Sequence, residues 1–166
     1  MGRDKAALEW GNGSLLDHMV QMLSTVAGRV RVVGRDGLPD RIPGKGPLGG
    51  ILTALEATDT EENLVLAVDL PLLTPEFLQA FHARFLASPY PLLACRIGDT
   101  FPLCLGIRRT LQADVARRIA DGDLAIHNFI DQTDSEIVSE IALQDLGFDR
   151  SIFANANTPE DWARLR

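Results

Sequence analysis

With 166 residues and a net charge of −7, the chain suits one hydrophobic core and has no excess of basic groups to track a nucleic-acid backbone. Hydrophobic residues make up 46% and charged residues 23%, ordinary for a globular domain, and no run approaches the roughly twenty apolar residues of a membrane span. The opening Met1-Gly2-Arg3-Asp4-Lys5 lacks the apolar stretch of a signal peptide, so a cytoplasmic chain with neither nucleic-acid nor membrane partners is expected.

Ser14 to Ala27 carries Leu15, Leu16, Met19, Val20, Leu23 and Val26 at helical spacing. Ser14 and Asp17 suit a capping box, and Gly28 suits a left-handed stop. The valine-rich alternation from Arg29 to Val33 predicts a strand. Gly34 to Gly50 is dense in glycine and proline and reads as a loop, with helical spacing only from Ile51 to Thr58. Leu64 to Val68 is continuously apolar, the pattern of a strand covered on both faces, and it stops at Asp69.

Thr74 and Pro75 then open a helix whose inner face is Leu78, Phe81 and Phe85. Leu92 to Ile97 and Phe101 to Ile107 form a predicted hairpin across Gly98-Asp99. Its cysteines, Cys95 and Cys104, read as buried thiols, and with His18, His82 and His127 scattered they make no zinc pattern. A helix from Leu111 to Ala120 closing at Gly122, helical turns over Ala125 to Ile130, a strand from Glu136 to Ile141, a short run Ser151 to Ala154 and a helix after Thr158-Pro159 complete the chain. No repeat or linker divides it, so residues 1–166 are expected to form a single domain. Strands alternating with helices imply a three-layer α/β/α domain with a mostly parallel sheet, whose ligands collect beyond the carboxyl ends of the strands.

Three places stand out for chemistry. Asp69 leaves its strand at that ligand-bearing edge, where one carboxylate can hold Mg²⁺ together with a nucleotide's phosphates; the alternative is an aspartate that only caps a turn. The stretch from Asp40 to Gly50, with Gly46-Pro47-Leu48-Gly49-Gly50 at its end, has glycines that let a ligand approach the backbone and a helix start with unpaired N–H donors. Asn155 and Asn157, two apart at a strand-to-helix junction, can offer amides to a metal's surroundings or a ribose; the alternative is a helix cap formed by Thr158 and Asp161.

In this order and spacing the motifs resemble the molybdenum cofactor guanylyltransferases, the MobA family, within the nucleotidyltransferases of Rossmann-like fold. Met1-Gly2-Arg3-Asp4-Lys5 is similar to the end of that family's opening signature. Asp40 with Gly46-Pro47-Leu48-Gly49-Gly50 resembles its second motif, Val68-Asp69-Leu70-Pro71 its metal aspartate, and Asn155-Ala156-Asn157-Thr158-Pro159 its terminal motif. Phe101-Pro102-Leu103 stands where the family has a strand lining the pterin side. The resemblance implies that Lys5 contacts nucleotide phosphates, Asp40, Pro47, Leu48 and Gly49 the guanosine, and Asp69 the Mg²⁺, with Lys5 and Asp69 catalytic. Asn155 and Asn157 are implied to shape the metal and pterin end.

The implied reaction joins GMP from GTP to the terminal phosphate of molybdopterin and releases pyrophosphate. GTP and molybdopterin are the implied substrates, and the implied protein partners are transient ones, molybdenum-insertion or acceptor proteins. The chain departs from the family pattern in two ways. It starts inside the opening signature, so the family's first strand and glycine loop lie outside it and a longer natural protein is expected; and Gly34-Arg35 replaces an asparagine. A cytidylyltransferase of the same fold and a noncatalytic nucleotide- or pterin-binding protein are the competing readings.

Overall fold

A computed structural model describes residues 5–35 and 38–155; Asn157 and the helix expected after Pro159 lie outside the described residues. A 3₁₀ turn, Lys5–Ala7, leads into a hairpin of β1 (Glu9–Trp10) and β2 (Gly13–Ser14), and then into α1 (Leu15–Leu23). The expected capping box is present: Ser14 Oγ accepts the Asp17 N–H at 3.1 Å, and Asp17 Oδ2 accepts the Ser14 N–H at 3.0 Å. The helix ends at Leu23, not Ala27, and Gly28 is not left-handed. Ser24 and Thr25 direct their hydroxyls to the carbonyls of Val20 and Met22, so local side-chain bonds end the helix in place of a glycine cap.

The main sheet has four strands in the order β3 (Glu62–Leu66), β5 (Cys104–Arg108), β4 (Leu92–Cys95), β6 (Ser135–Val138). β4 and β6 pair in parallel, while β5 is antiparallel to both β3 and β4. Three strands therefore run one way and the hairpin return β5 the other, which makes the sheet mixed. β4 and the first four residues of β5 are fully buried.

β3 was expected to be covered on both faces, yet its residues are only half-buried or exposed, because among the described residues it has one strand neighbour. Segment 29–33, predicted as a strand, joins no ladder among the described residues, and a strand needs a partner. A groove of about 470 Å³ separates it from the edge of β3, lined by Leu23, Val26, Leu55, Leu64 and Val65 among others.

Helix α2 (Gly46–Ala57) begins five residues earlier than the helical spacing suggested and contains the glycines expected to break it. Pro47 fits the first turn, where no N–H is needed, and Gly49 is required by close packing: a Cβ there would stand 3.0 Å from the Ile42 carbonyl. α3 (Pro75–Ala87) has Thr74 as its cap, the hydroxyl accepting the Phe77 N–H at 3.2 Å, and buries Phe77, Leu78, Phe81 and Phe85 as expected. α4 (Gln112–Asp121) ends on Gly122 at φ +79°, and α5 (Ile126–Gln132) follows. The predicted strand reaching Ile141 stops at Val138, because Ser139 caps α6 (Glu140–Asp145) and turns the chain, leaving Ile141 exposed.

Two apolar clusters cover opposite faces of the sheet. Leu15, Met19 and the α3 phenylalanines pack with Leu93, Cys95 and Cys104 on one side; Leu48, Ile51, Leu55, Val115 and Phe129 pack with Leu92, Leu105 and Ile107 on the other. This is the expected layered α/β plan. Cys95 and Cys104 are free, fully buried thiols. Burial pushes Cys95 up to about 12, against a small opposing pull from Arg84, and raises Cys104 well above the usual range, so neither is a nucleophile near neutral pH.

Candidate functional site

Because β3, β4 and β6 run in the same direction, their carboxyl ends share one edge of the sheet. β3 ends at Leu66; Ala67 adds one further bond to the β5 side, its N–H donating to the Leu103 carbonyl at 2.8 Å, and the chain then turns through Val68 and Asp69. Asp69 is half-buried in that turn, and the next residues, Leu70 and Pro71, are buried. The apolar side chains on either side are thus held by the core while the carboxylate is carried past the end of the strand. Phe101, Pro102 and Leu103, expected as strand, lie before β5 instead, since Pro102 has no N–H to give a ladder and its carbonyl takes the Cys104 N–H at 2.7 Å.

α2 ends shortly before β3 begins and packs on the sheet, so its N-terminal turn faces the edge where β3 delivers Asp69. Asp40 organises the approach to that turn. Its Oδ1 accepts the Ile42 N–H at 3.1 Å and lies 3.3 Å from the Thr53 hydroxyl, which is also 3.0 Å from the Gly49 carbonyl and accepts the Arg41 N–H at 3.1 Å. Thr53, fully buried, was not singled out by sequence reasoning; only its place one turn after Gly49 on the inner face of α2 could have drawn attention to it. Leu48 is wholly buried in the core, so only its backbone is available to a ligand, whereas Pro47 is exposed.

Lys5 opens the first 3₁₀ turn, which is fastened to α1 by the Leu15 N–H donating to the Leu8 carbonyl at 2.8 Å; its side chain lies outside the described residues. Asn155 is exposed and follows the turn Arg150–Phe153, whose Phe153 packs edge-on against Phe77 at 5.3 Å. Val68, Leu70, Phe77 and Phe153 belong to one apolar cluster, which brings the Asn155 segment to the Asp69 side of the sheet.

At the ends of β4 and β6 the structure adds groups that the sequence did not flag. The Gly98 N–H donates to Glu140 Oε1 at 2.7 Å, closing the β4–β5 hairpin tip onto α6. Arg96, about half exposed, stands with its guanidinium 5.8 Å above the Phe101 ring and 4.0 Å from Asp99, a cation at the ligand-bearing edge. Among the described residues no three His, Cys, Asp or Glu side chains lie close enough to hold a metal by themselves. A single strand-end carboxylate does suit Mg²⁺, which completes its shell with phosphate and water oxygens. The groove along β3 includes none of Asp69, Asp40 or Gly49, so the candidate site is separate from it.

The profile of the MobA-like NTP transferase domain matches residues 1–137. A probable molybdenum cofactor guanylyltransferase of Carboxydothermus hydrogenoformans is 31% identical over 99% of this chain and 88% of its own. A molybdenum cofactor guanylyltransferase of Xanthomonas euvesicatoria is 29% identical over 99% of this chain and 87% of its own. Among solved structures, molybdopterin-guanine dinucleotide biosynthesis protein A from Archaeoglobus fulgidus superposes with a TM-score of 0.81 at 21% identity, covering 98% of this chain and 89% of that one. A Mycobacterium tuberculosis protein solved in complex with manganese gives 0.65 at 15% identity, covering 99% and 92%. The 2-C-methyl-D-erythritol 4-phosphate cytidylyltransferase of Thermus thermophilus gives 0.64 at 16%, covering 96% and 91%.

Proposed function

Since the chain belongs to the MobA-like NTP transferase family, a nucleotidyltransferase family, we propose that it transfers GMP from GTP to the terminal phosphate of molybdopterin, releasing pyrophosphate. The observation that carries this reading is the placement of Asp69 just past the carboxyl end of β3, at the sheet edge faced by the N-terminal turn of α2. Relatives matching almost the whole chain bear the guanylyltransferase name, which supports the choice of nucleotide and acceptor.

In the proposed reaction a terminal phosphate oxygen of the pterin attacks the α-phosphorus of GTP in line. A new P–O bond forms as the bond to the β-phosphate oxygen breaks, and the electron pair leaves with pyrophosphate. The attacking oxygen is already an anion, so no general base is required; the work is positioning and charge neutralisation. Asp69 would hold Mg²⁺, which supplies Lewis-acid neutralisation of the phosphates when bound. Lys5 would offset charge on the phosphates, Asp40 with Pro47, Leu48 and Gly49 would seat the guanosine against the start of α2, and Asn155 and Asn157 would shape the pterin end. The manganese complex of a neighbour of the same fold is in keeping with a divalent ion. A cytoplasmic setting, where thiols stay reduced, goes with the same reading.

Nucleotide protection tests the assignment. GTP with Mg²⁺ is expected to raise the thermal midpoint more than CTP does. Protection by CTP and not GTP would instead mark a cytidylyltransferase, the reaction named for the Thermus thermophilus neighbour.

A further inference from the structure

One imidazole stands between the two segments that carry the proposed catalytic residues. His18, on α1, places Nε2 3.0 Å from the carbonyl oxygen of Pro71, two residues beyond Asp69. Its ring also packs against Trp10 of β1, with centroids 5.6 Å apart at 45°. Trp10 belongs to the hairpin that follows the Lys5 turn, and the same α1 is bonded to Leu8 through the Leu15 N–H. Pro71 is buried, and a carbonyl can only accept, so the proton must lie on Nε2 of His18. The neutral Nε2–H tautomer and the imidazolium both satisfy that bond, and the contact therefore does not depend on His18 gaining charge.

We propose that His18 is a positioning residue for the reaction: by bonding Pro71 and bracing Trp10, it fixes the Asp69 turn relative to the Lys5 turn. It touches no reacting atom and acts through the backbone of the turn. α1 is the shared support of both segments, and the His18 bond ties it to the Asp69 turn, so its loss would let that turn move against the Lys5 side. Displacements of this kind weaken a metal–phosphate site well before they unfold a domain. The inference rests on the proposed role of Asp69 as the metal ligand.

The test uses Mn²⁺ titrated into the chain with GTP present, followed by electron paramagnetic resonance, for wild type, His18→Phe, His18→Gln and Asp69→Asn. His18→Phe keeps a ring against Trp10 and removes the donor, whereas His18→Gln keeps a donor and removes the ring. Loss of the bond in His18→Phe is expected to weaken Mn²⁺·GTP binding about tenfold, the worth of one hydrogen bond, with the thermal midpoint little changed; His18→Gln is expected to recover most of the affinity. Wild-type affinity in His18→Phe, or equal loss in both His18 variants, overturns the positioning role. Wild-type affinity in Asp69→Asn overturns the metal reading instead, which keeps the two failures apart. Should His18→Phe not fold, nitrogen-15 spectra of the wild-type imidazole decide: a slowly exchanging Nε2–H supports the bond, and an Nδ1–H tautomer contradicts it.

Discussion

The buried Thr53 hydroxyl lies 3.3 Å from Asp40 Oδ1, tying the acidic residue of the loop to the helix whose N-terminus it precedes. Asp40 is therefore part of the scaffold as well as a proposed nucleotide contact. Thr53→Val keeps the volume but leaves the Arg41 N–H without its acceptor and the Asp40 carboxylate with one bond fewer. We expect a loss of about 1–2 kcal/mol in denaturant unfolding, together with a higher KM for GTP and a nearly unchanged kcat. An unchanged KM would separate Asp40 from nucleotide binding.

Gly106 sits in the middle of β5 because the Phe85 ring occupies the space a side chain would need, 2.5 Å from the position of a Cβ. Gly106→Ala is expected to cost about 1–3 kcal/mol by overpacking. Combining it with Phe85→Leu should cost less than the sum of the two single changes, since the smaller side chain relieves the same contact. Additive losses in unfolding experiments would contradict this account of the glycine.

Arg118 is nearly buried over the Phe129 ring and bonds Asp114 at 2.9 Å and Asp123 at 3.1 Å. Burial by itself raises the pKa of Asp114, but the hydrogen bonds and charges of Arg118 and Arg117 outweigh it and hold the carboxyl below its ordinary value. A lowered folded-state pKa contributes stability above the unfolded value and loses it as pH falls through the folded one. The stability gap between wild type and Asp114→Asn should therefore be present at pH 7 and close below the ordinary aspartate value of 3.8. Arg118→Met is expected to lower stability by about 2 kcal/mol at pH 7, because Asp114 and Asp123 each lose a charged partner, though Asp114 keeps Arg117 and Asp123 keeps the Asn128 amide. A gap that stays constant from pH 7 to pH 3 would contradict the ion-pair account.

Hydrogen exchange should read directly the edge of β3 that has no strand neighbour among the described residues. The Arg109 N–H donates to the Glu61 carbonyl and the Ala67 N–H to the Leu103 carbonyl, each at 2.8 Å, at the two ends of the β3–β5 ladder. Bonded pairs alternate along an antiparallel ladder, so Asn63 and Val65 also face β5, while Glu62, Leu64 and Leu66 point their amides to the other side. Val65 and Ala67 are expected to exchange slowly, and Leu64 and Leu66 markedly faster. Uniform protection along the strand would mean that a partner covers the edge.

How much of this was legible in the sequence depended on whether the deciding contact was local. The Ser14–Asp17 box, the Thr74-Pro75 start and the Gly122 stop are set within one helical turn, and all three stand as read. The start of α2 was missed because Gly49 looks like a breaker until the Ile42 carbonyl is seen against it, a tertiary reason that overrides helix propensity. Segment 29–33 has a strand's composition but no ladder among the described residues, since pairing is a property of neighbours and not of the segment. The position of Asp69 in the turn past β3 was legible from the apolar run before it. The contacts of Thr53, His18 and Arg96 were not, because each partner is distant in sequence or set by the folded turn.

Pyrophosphate release in the presence of GTP, Mg²⁺ and molybdopterin, compared between wild type and Asp69→Asn, tests the central claim most directly. The account predicts GTP-dependent release by wild type and a rate at least about a hundredfold lower in Asp69→Asn, with thermal unfolding unchanged. An Asp69→Asn variant that releases pyrophosphate at the wild-type rate would contradict it.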